Sequence, residues 1–322
     1  MSEHPLQRFF KSQRARPTFE WERYQHRDVL LIDHPLCQAV FSRQGAQLLH
    51  FQPVGQKPWL WCASRWPQVG AIRGGVPVCW PWHGRHPSEA GWPAHGWGRL
   101  LDWKLINSHE SESGVSLHWR LQLCDWQADL YAELGQGMEL RLNTCHEDSE
   151  PCQFGHALHA YWRISDVEDV ALQGLEGAQG YDQLSRRACT QEGDLRVAGG
   201  CQRMFEHNGP LQLQDQVWQR RLGINSGDNA STLIWHPGKR PLLGVAGNEA
   251  SGFVCVEAAS GSDESLSLAP GERVELSLQA WLVQPVGARL AREGDWSGLE
   301  NLADVPTSSR ASLAPTGSGL YP

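Results

Sequence analysis

Two side chains in this 322-residue chain stand out as acid–base candidates because each sits in an otherwise apolar run. His159 lies in Phe154-Gly155-His156-Ala157-Leu158-His159-Ala160-Tyr161-Trp162-Arg163, and Glu257 lies in Phe253-Val254-Cys255-Val256-Glu257-Ala258-Ala259. Burying a carboxylate is costly unless it is paired or functional, so a glutamate in a core strand calls for a reason. Two further segments carry cations next to glycine. In Ala71-Ile72-Arg73-Gly74-Gly75-Val76-Pro77-Val78-Cys79-Trp80-Pro81-Trp82-His83-Gly84 the tandem glycines let backbone approach a ligand, and Arg73 offers a planar fork for hydroxyl or phosphate oxygens. In Pro93-Ala94-His95-Gly96-Trp97-Gly98-Arg99, His95 and Arg99 flank two glycines and could reach one cleft.

Each of these segments also has a plainer reading: a turn with a solvated arginine, a loop before a strand, or a hydrogen-bonded core histidine. His156 and His159 would share a face, and could bind a metal together, only on a helix; on a strand their spacing sends them to opposite faces. The aromatic residues around them favour a strand, so no metal is assigned. The cysteines lack a thiol-protease signature, and the chain has no G-x-S-x-G, Walker loop or G-x-G-x-x-G after a strand.

Strands must position these groups. Apolar and polar residues alternate over Val115–Leu123, Ala128–Leu134, Met138–Asn143 and Val274–Ala280. That period of two marks half-buried antiparallel strands. Glycines at 135–137, 199–200 and 261 punctuate the runs as hairpin loops require. Helical periodicity is confined to short stretches, Pro5–Gln13 and Ser297–Ala303. The expectation is an all-β sandwich, mostly antiparallel with few short helices. Its domain spans residues 25–285, after an N-terminal extension (1–24) and before a C-terminal segment (286–322). From about 306 that segment is rich in Ser, Pro and Gly and reads as poorly ordered.

Composition narrows the function classes. Hydrophobic residues make up 40% of the chain and charged residues 20%, enough for a sizeable core. A net charge of −8 argues against nucleic acid as partner, although a local pocket for one phosphate needs only a few cations. No apolar run approaches the ~18 residues of a membrane span, and the first residues lack the apolar region of a secretory signal. Nine cysteines without a C-x-x-C pair fit reduced thiols. Cytoplasmic location, no membrane contact and a monomer are therefore expected. Sixteen tryptophans are read first as core residues and second as platforms for sugar rings.

Taken in order, the four segments resemble the aldose-1-epimerase (galactose mutarotase-like) superfamily, and within it the glucose-6-phosphate (hexose-6-phosphate) 1-epimerase group, over roughly residues 25–285. The resemblance implies a galactose mutarotase-like β-supersandwich with a sugar cleft on its concave side. It implies His159 and Glu257 as catalytic residues and Arg73, His95, Arg99, Gln202 and Arg203 as substrate-binding ones, with Arg73 and Arg99 suited to a 6-phosphate. An Asp-Arg pair of the family is matched here by Gln202-Arg203, which replaces the aspartate with an amide, and His83 stands where an aromatic is usual. The implied reaction interconverts the anomers of a hexose 6-phosphate without a cofactor. Glu257 would act as base on the C1 hydroxyl and protonated His159 as acid on the ring oxygen, the glutamate helping to keep the histidine charged. The implied partner is a small-molecule sugar phosphate. Unphosphorylated aldoses as substrates, and a non-catalytic carbohydrate-binding protein on the same fold, are the competing readings.

Overall fold

Alternating sequence becomes antiparallel sheet in the computed structural model, which describes residues 4–11, 17–227, 231–247, 249–260 and 266–283. One sheet is a meander of β1 (Phe19–Tyr24), β2 (Arg27–His34), β3 (Cys37–Ser42) and β4 (Gln47–Pro53). β1 pairs with β2 from Phe19↔Ile32 to Tyr24↔Arg27, so the sheet begins before the boundary expected at residue 25. The large sheet contains the strands that alternation marks, β7 (Gly114–Leu123), β8 (Trp126–Leu134), β9 (Met138–His146) and β22 (Arg273–Leu282), and with them β6 (Lys104–Ser111), which it does not mark. It is completed by β13 (Val170–Gln173), β17 (Leu211–Asp215) and β18 (Arg220–Asn225), in the order β13-β17-β18-β22-β9-β8-β7-β6.

The sheet that carries the functional segments is assembled from distant parts of the chain. Its strands are β5 (Val78–Cys79), β11 (Ala157–Leu158), β12 (Tyr161–Arg163), β14 (Gln179–Asp182), β15 (Arg187–Thr190), β16 (Gly200–Phe205), β19 (Ser231–Pro237) and β20 (Phe253–Ala259). They run in the order β15-β14-β16-β19-β20-β11-β5, with β12 also on β20. The Pro-rich Arg73–Pro81 stretch lies at the edge of this sheet, where proline removes no ladder hydrogen bond. A two-stranded ribbon, β10 (Cys152–Phe154) with β21 (Leu266–Leu268), completes the set.

Every residue of β20 is buried. Val254, Val256 and Ala258 join the main core together with Leu30 and Phe41 of the first sheet and Leu117 and Trp119 of the large one. The alternate positions, Phe253, Cys255, Glu257 and Ala259, therefore face away from that core. Trp59, Trp80 and Trp103 are fully buried, so much of the tryptophan crowding in this region is packing. Helix is limited to single 3-10 turns among the described residues, with Gln7–Phe10 standing where the longer Pro5–Gln13 was expected. Ser297–Ala303 and the tail lie outside the described residues, and no described helix is long and apolar enough to cross a membrane.

Candidate active site

Strand register brings His159 and Glu257 together. β11 pairs with β20 at Leu158↔Ala258, and β12 pairs with it at Tyr161↔Cys255. The register is continuous across the two-residue break, so His159 falls opposite Glu257. Opposed residues project to the same face, and His159 Nε2 lies 3.3 Å from Glu257 Oε1. On the other side the His159 amide donates to the Pro77 carbonyl at 3.1 Å and the Tyr161 amide to that of Gly75 at 2.9 Å. The Arg-Gly-Gly motif is thus laid directly beside the histidine strand. Gly75 has φ +61°, and a Cβ there would meet the Leu48 carbonyl oxygen at 2.1 Å, so only glycine allows this close passage.

The carboxylate is the most exceptional group in the chain. Glu257 has no exposed surface, and neither oxygen has a hydrogen-bond partner. Its nearest polar neighbours are His159 on Oε1 and His83 Nε2, 3.7 Å from Oε2. Most buried polar groups are hydrogen-bonded, so a fully buried carboxylate with no such bond calls for a functional reason. Tyr161 stacks on His159 with centroids 4.8 Å apart and planes 7° from parallel, and Trp235 meets the same imidazole edge-on at 5.9 Å. The pocket wall is therefore aromatic with a few polar atoms, a lining suited to a sugar ring.

Burial sets the protonation. It pushes the Glu257 carboxyl well above the ordinary carboxylate range. Burial, reinforced by His95, His83 and Arg99, pushes His159 well below the usual imidazole value. This corrects the expectation that the glutamate keeps His159 charged. Both shifts run against charge, because desolvation disfavours the ionised carboxyl and the imidazolium alike.

The remaining candidates divide. His95 comes within 5.1 Å of the His83 ring and 6.0 Å of the His159 ring, centroid to centroid. Its Nδ1 accepts from the Gly84 amide at 3.3 Å, and burial and Arg99 lower it to about 3. Arg99 donates through Nη2 to the Ala94 carbonyl at 2.7 Å, and its charge acts on His83, His95 and His159. Arg73 lies 3.4 Å from the Tyr161 hydroxyl. Gln202 opposes Trp235, which opposes Cys255, so its side chain shares the Glu257 face while bonding Gln183. Arg203 does not share it. Strand alternation turns Arg203 to the side of Cys201 and Phe205, where it bridges Asp182 at 3.3 Å, so the register removes it from the sugar-facing set.

Tyr161 and Cys255 escaped the candidate list although the sequence signalled them: each lies two residues from a catalytic candidate on a strand, and so on its face. Of three groups among the described residues that bring potential metal donors within 4.8 Å of one another, one is His146 with Asp148 and Cys152, and two involve the site, Cys79 with His83 and His95, and His159 with Cys255 and Glu257. Burial holds the Cys79 thiol up at about 12 and Cys255 well above the ordinary thiol value, and the Gly84 amide already occupies His95 Nδ1. These last two groups are read as cleft walls. His156 belongs to none of the three; its ring packs on Phe154 at 5.1 Å.

The family model for aldose 1-epimerase matches residues 28–281. The chain belongs to the aldose 1-epimerase family. As a member it is an isomerase of the epimerase type. A relative named "Putative glucose-6-phosphate 1-epimerase" from Escherichia coli K12 is 29% identical over 264 residues, covering 77% of this chain and 88% of the relative. A Salmonella typhimurium protein of the same name is 28% identical, covering 71% and 82%. Among solved structures, a "putative mutarotase" of Salmonella typhimurium superposes with a TM-score of 0.80 at 24% identity, covering 88% of this chain and 100% of that one. A galactose mutarotase-like protein of Clostridium acetobutylicum gives 0.65 at 10% identity, covering 83% and 98%. The galactose mutarotase-like β-supersandwich expected for this family is therefore the fold observed.

Proposed function

We propose that this epimerase interconverts the α and β anomers of glucose 6-phosphate or a related aldohexose 6-phosphate, with Glu257 and His159 as the two proton carriers. The observation that carries this reading is a fully buried carboxylate without a hydrogen bond, 3.3 Å from an imidazole in an aromatic pocket. Arg73 and Arg99 beside that pocket support a phosphorylated substrate, as do relatives named for glucose 6-phosphate.

Ring opening removes the proton from the C1 hydroxyl, breaks the bond between C1 and the ring oxygen, and protonates that oxygen. Rotation about C1–C2 presents the other face of the aldehyde, and closure reverses the transfers. The reaction consumes no redox equivalent or nucleotide and needs one acid and one base. A pair that shares one proton is both. Sugar hydroxyls donating to Glu257 favour its ionised form and shift the shared proton to His159, 3.3 Å away. In that tautomer Glu257 takes the proton of the C1 hydroxyl and His159 gives a proton to the ring oxygen, the roles exchanging on closure.

The test is the α–β exchange rate of glucose 6-phosphate by NMR magnetization transfer, with and without the protein. Acceleration supports the reading. Faster exchange of glucose than of its 6-phosphate would reassign the substrate to unphosphorylated aldoses, and binding without acceleration of either would make the protein a sugar-binding member of the fold.

A further inference from the structure

Glu257 has two oxygens, and the acid–base pair accounts for one. The other faces His83, whose Nε2 is 3.7 Å from Oε2. His83 is 16% exposed while Glu257 is not exposed at all, so His83 reaches solvent on the Oε2 side of the buried carboxylate. Its place is fixed from several directions. The following residue, Gly84, accepts from the His95 amide at 2.6 Å and donates to the His95 ring at 3.3 Å, and the two histidine rings lie 5.1 Å apart. Gly96, next to His95, bridges to Trp80, and a Cβ there would lie 2.1 Å from the Trp80 carbonyl oxygen. The loop between Trp80 and Gly96 is thereby closed with His83 aimed inward.

We propose that His83 is a positioning residue for Glu257, its Nε2–H orienting the second carboxylate oxygen and stabilising the ionised form that acts as base. Resting on the acid–base role of Glu257 given above, this assigns His83 a function in the same site. Burial and Arg99 hold His83 down at about 4, so at neutral pH it is uncharged, and its Nε2–H tautomer is the one that can donate to Oε2. The other groups acting on His159, Arg99 and His95, and the buried Cys255 and Tyr161 near Glu257, offer Oε2 no hydrogen bond. His156, the further neighbour of His83, is itself lowered to about 3 and uncharged. A separation of 3.7 Å is longer than a hydrogen bond, and catalytic contacts of this kind commonly tighten when substrate closes the site.

His83→Phe keeps an aromatic ring and removes the donor; His83→Gln keeps a donor without the ring. Hydrogen bonds to charged groups are worth ~1.5–3 kcal/mol, equivalent to about one pH unit or more. Loss of a donor to the carboxylate raises its titration, so in His83→Phe the acidic limb of kcat moves up by about one pH unit. Within that limb kcat falls up to about tenfold, while KM stays within about twofold. His83→Gln restores the wild-type limb. The Glu257 carboxyl is followed separately by 13C NMR on glutamate-labelled protein, a readout that stands even if the wild type does not accelerate anomer exchange, which would sink the functional reading alone. An unchanged Glu257 titration in His83→Phe overturns the assignment, and so does a His83→Gln variant that behaves like His83→Phe, which would reduce His83 to packing.

Discussion

Replacing Glu257 by glutamine tests the central claim at nearly constant shape. The amide can neither accept the C1 proton nor share one with His159. A positioned acid–base group typically contributes ~10²–10⁴ in rate, or about 2.7–5.4 kcal/mol of barrier, and Glu257→Gln should lose that much in kcat. The same substitution should not destabilise the fold, because neither Glu257 oxygen has a hydrogen bond to lose. Its raised carboxyl implies the sign of the pH effect. A group whose folded-state value lies above its unfolded one contributes its stability below the unfolded value, about 4.3, and loses it as pH rises through the folded value. Glu257→Gln removes that loss, so its melting temperature at pH 7.5 should equal or exceed that of the wild type. NMR exchange spectroscopy and calorimetry on the same sample measure both. A folded variant that retains kcat within tenfold would remove Glu257 from the mechanism. A variant that loses activity but melts well below the wild type would show that the carboxylate is a structural partner instead.

The arginines separate in the same way. Arg73→Ala should raise KM about tenfold or more for glucose 6-phosphate and leave that for glucose nearly unchanged, since hydrogen bonds to charged groups are worth ~1.5–3 kcal/mol. Arg203→Ala, facing away and bridged to Asp182, should leave both within about twofold; steady-state kinetics on the two sugars decides, and an equal effect of Arg73→Ala on both would end its phosphate role. Acid should unfold the protein early. His50 and His156 are fully buried and lowered to about 3, so each opposes folding once pH drops below ~6.5, by about 1.4 kcal/mol per pH unit. Between pH 6.5 and 4.5 the two together remove about 5 kcal/mol, and Glu257, shifted the opposite way, works against that loss. Urea titrations at pH 7.5 and 4.5 should differ accordingly; equal midpoints would show that these histidines are solvated.

Much of the scaffold was legible because a two-residue period is a local property. β7, β8, β9 and β22 emerge wherever apolar and polar residues alternate, and Gly135 and Gly137 mark the turn between β8 and β9, whereas the β7–β8 turn is made by Cys124 and Asp125 without glycine. β5 was not legible as a strand, and the strand read in Phe154–Arg163 is broken into β10, β11 and β12; each is two or three residues long and exists only through its neighbours. The same alternation held unused information. Adjacent residues on a strand cannot share a face, so Gln202 and Arg203 could not both line one pocket.

The sequence by itself determined the residue types. It placed a histidine and a glutamate in apolar runs, glycines beside Arg73, and the strand-forming pattern that carries them all. Only the tertiary structure decided which of these meet and what charge they carry. His159 and Glu257 become neighbours through pairing of strands far apart in the chain, and His83 approaches the second carboxylate oxygen through a closed loop. Burial resists charge on both His159 and Glu257 because they are desolvated together, and desolvation depends on everything packed around a group. No local run of residues specifies that.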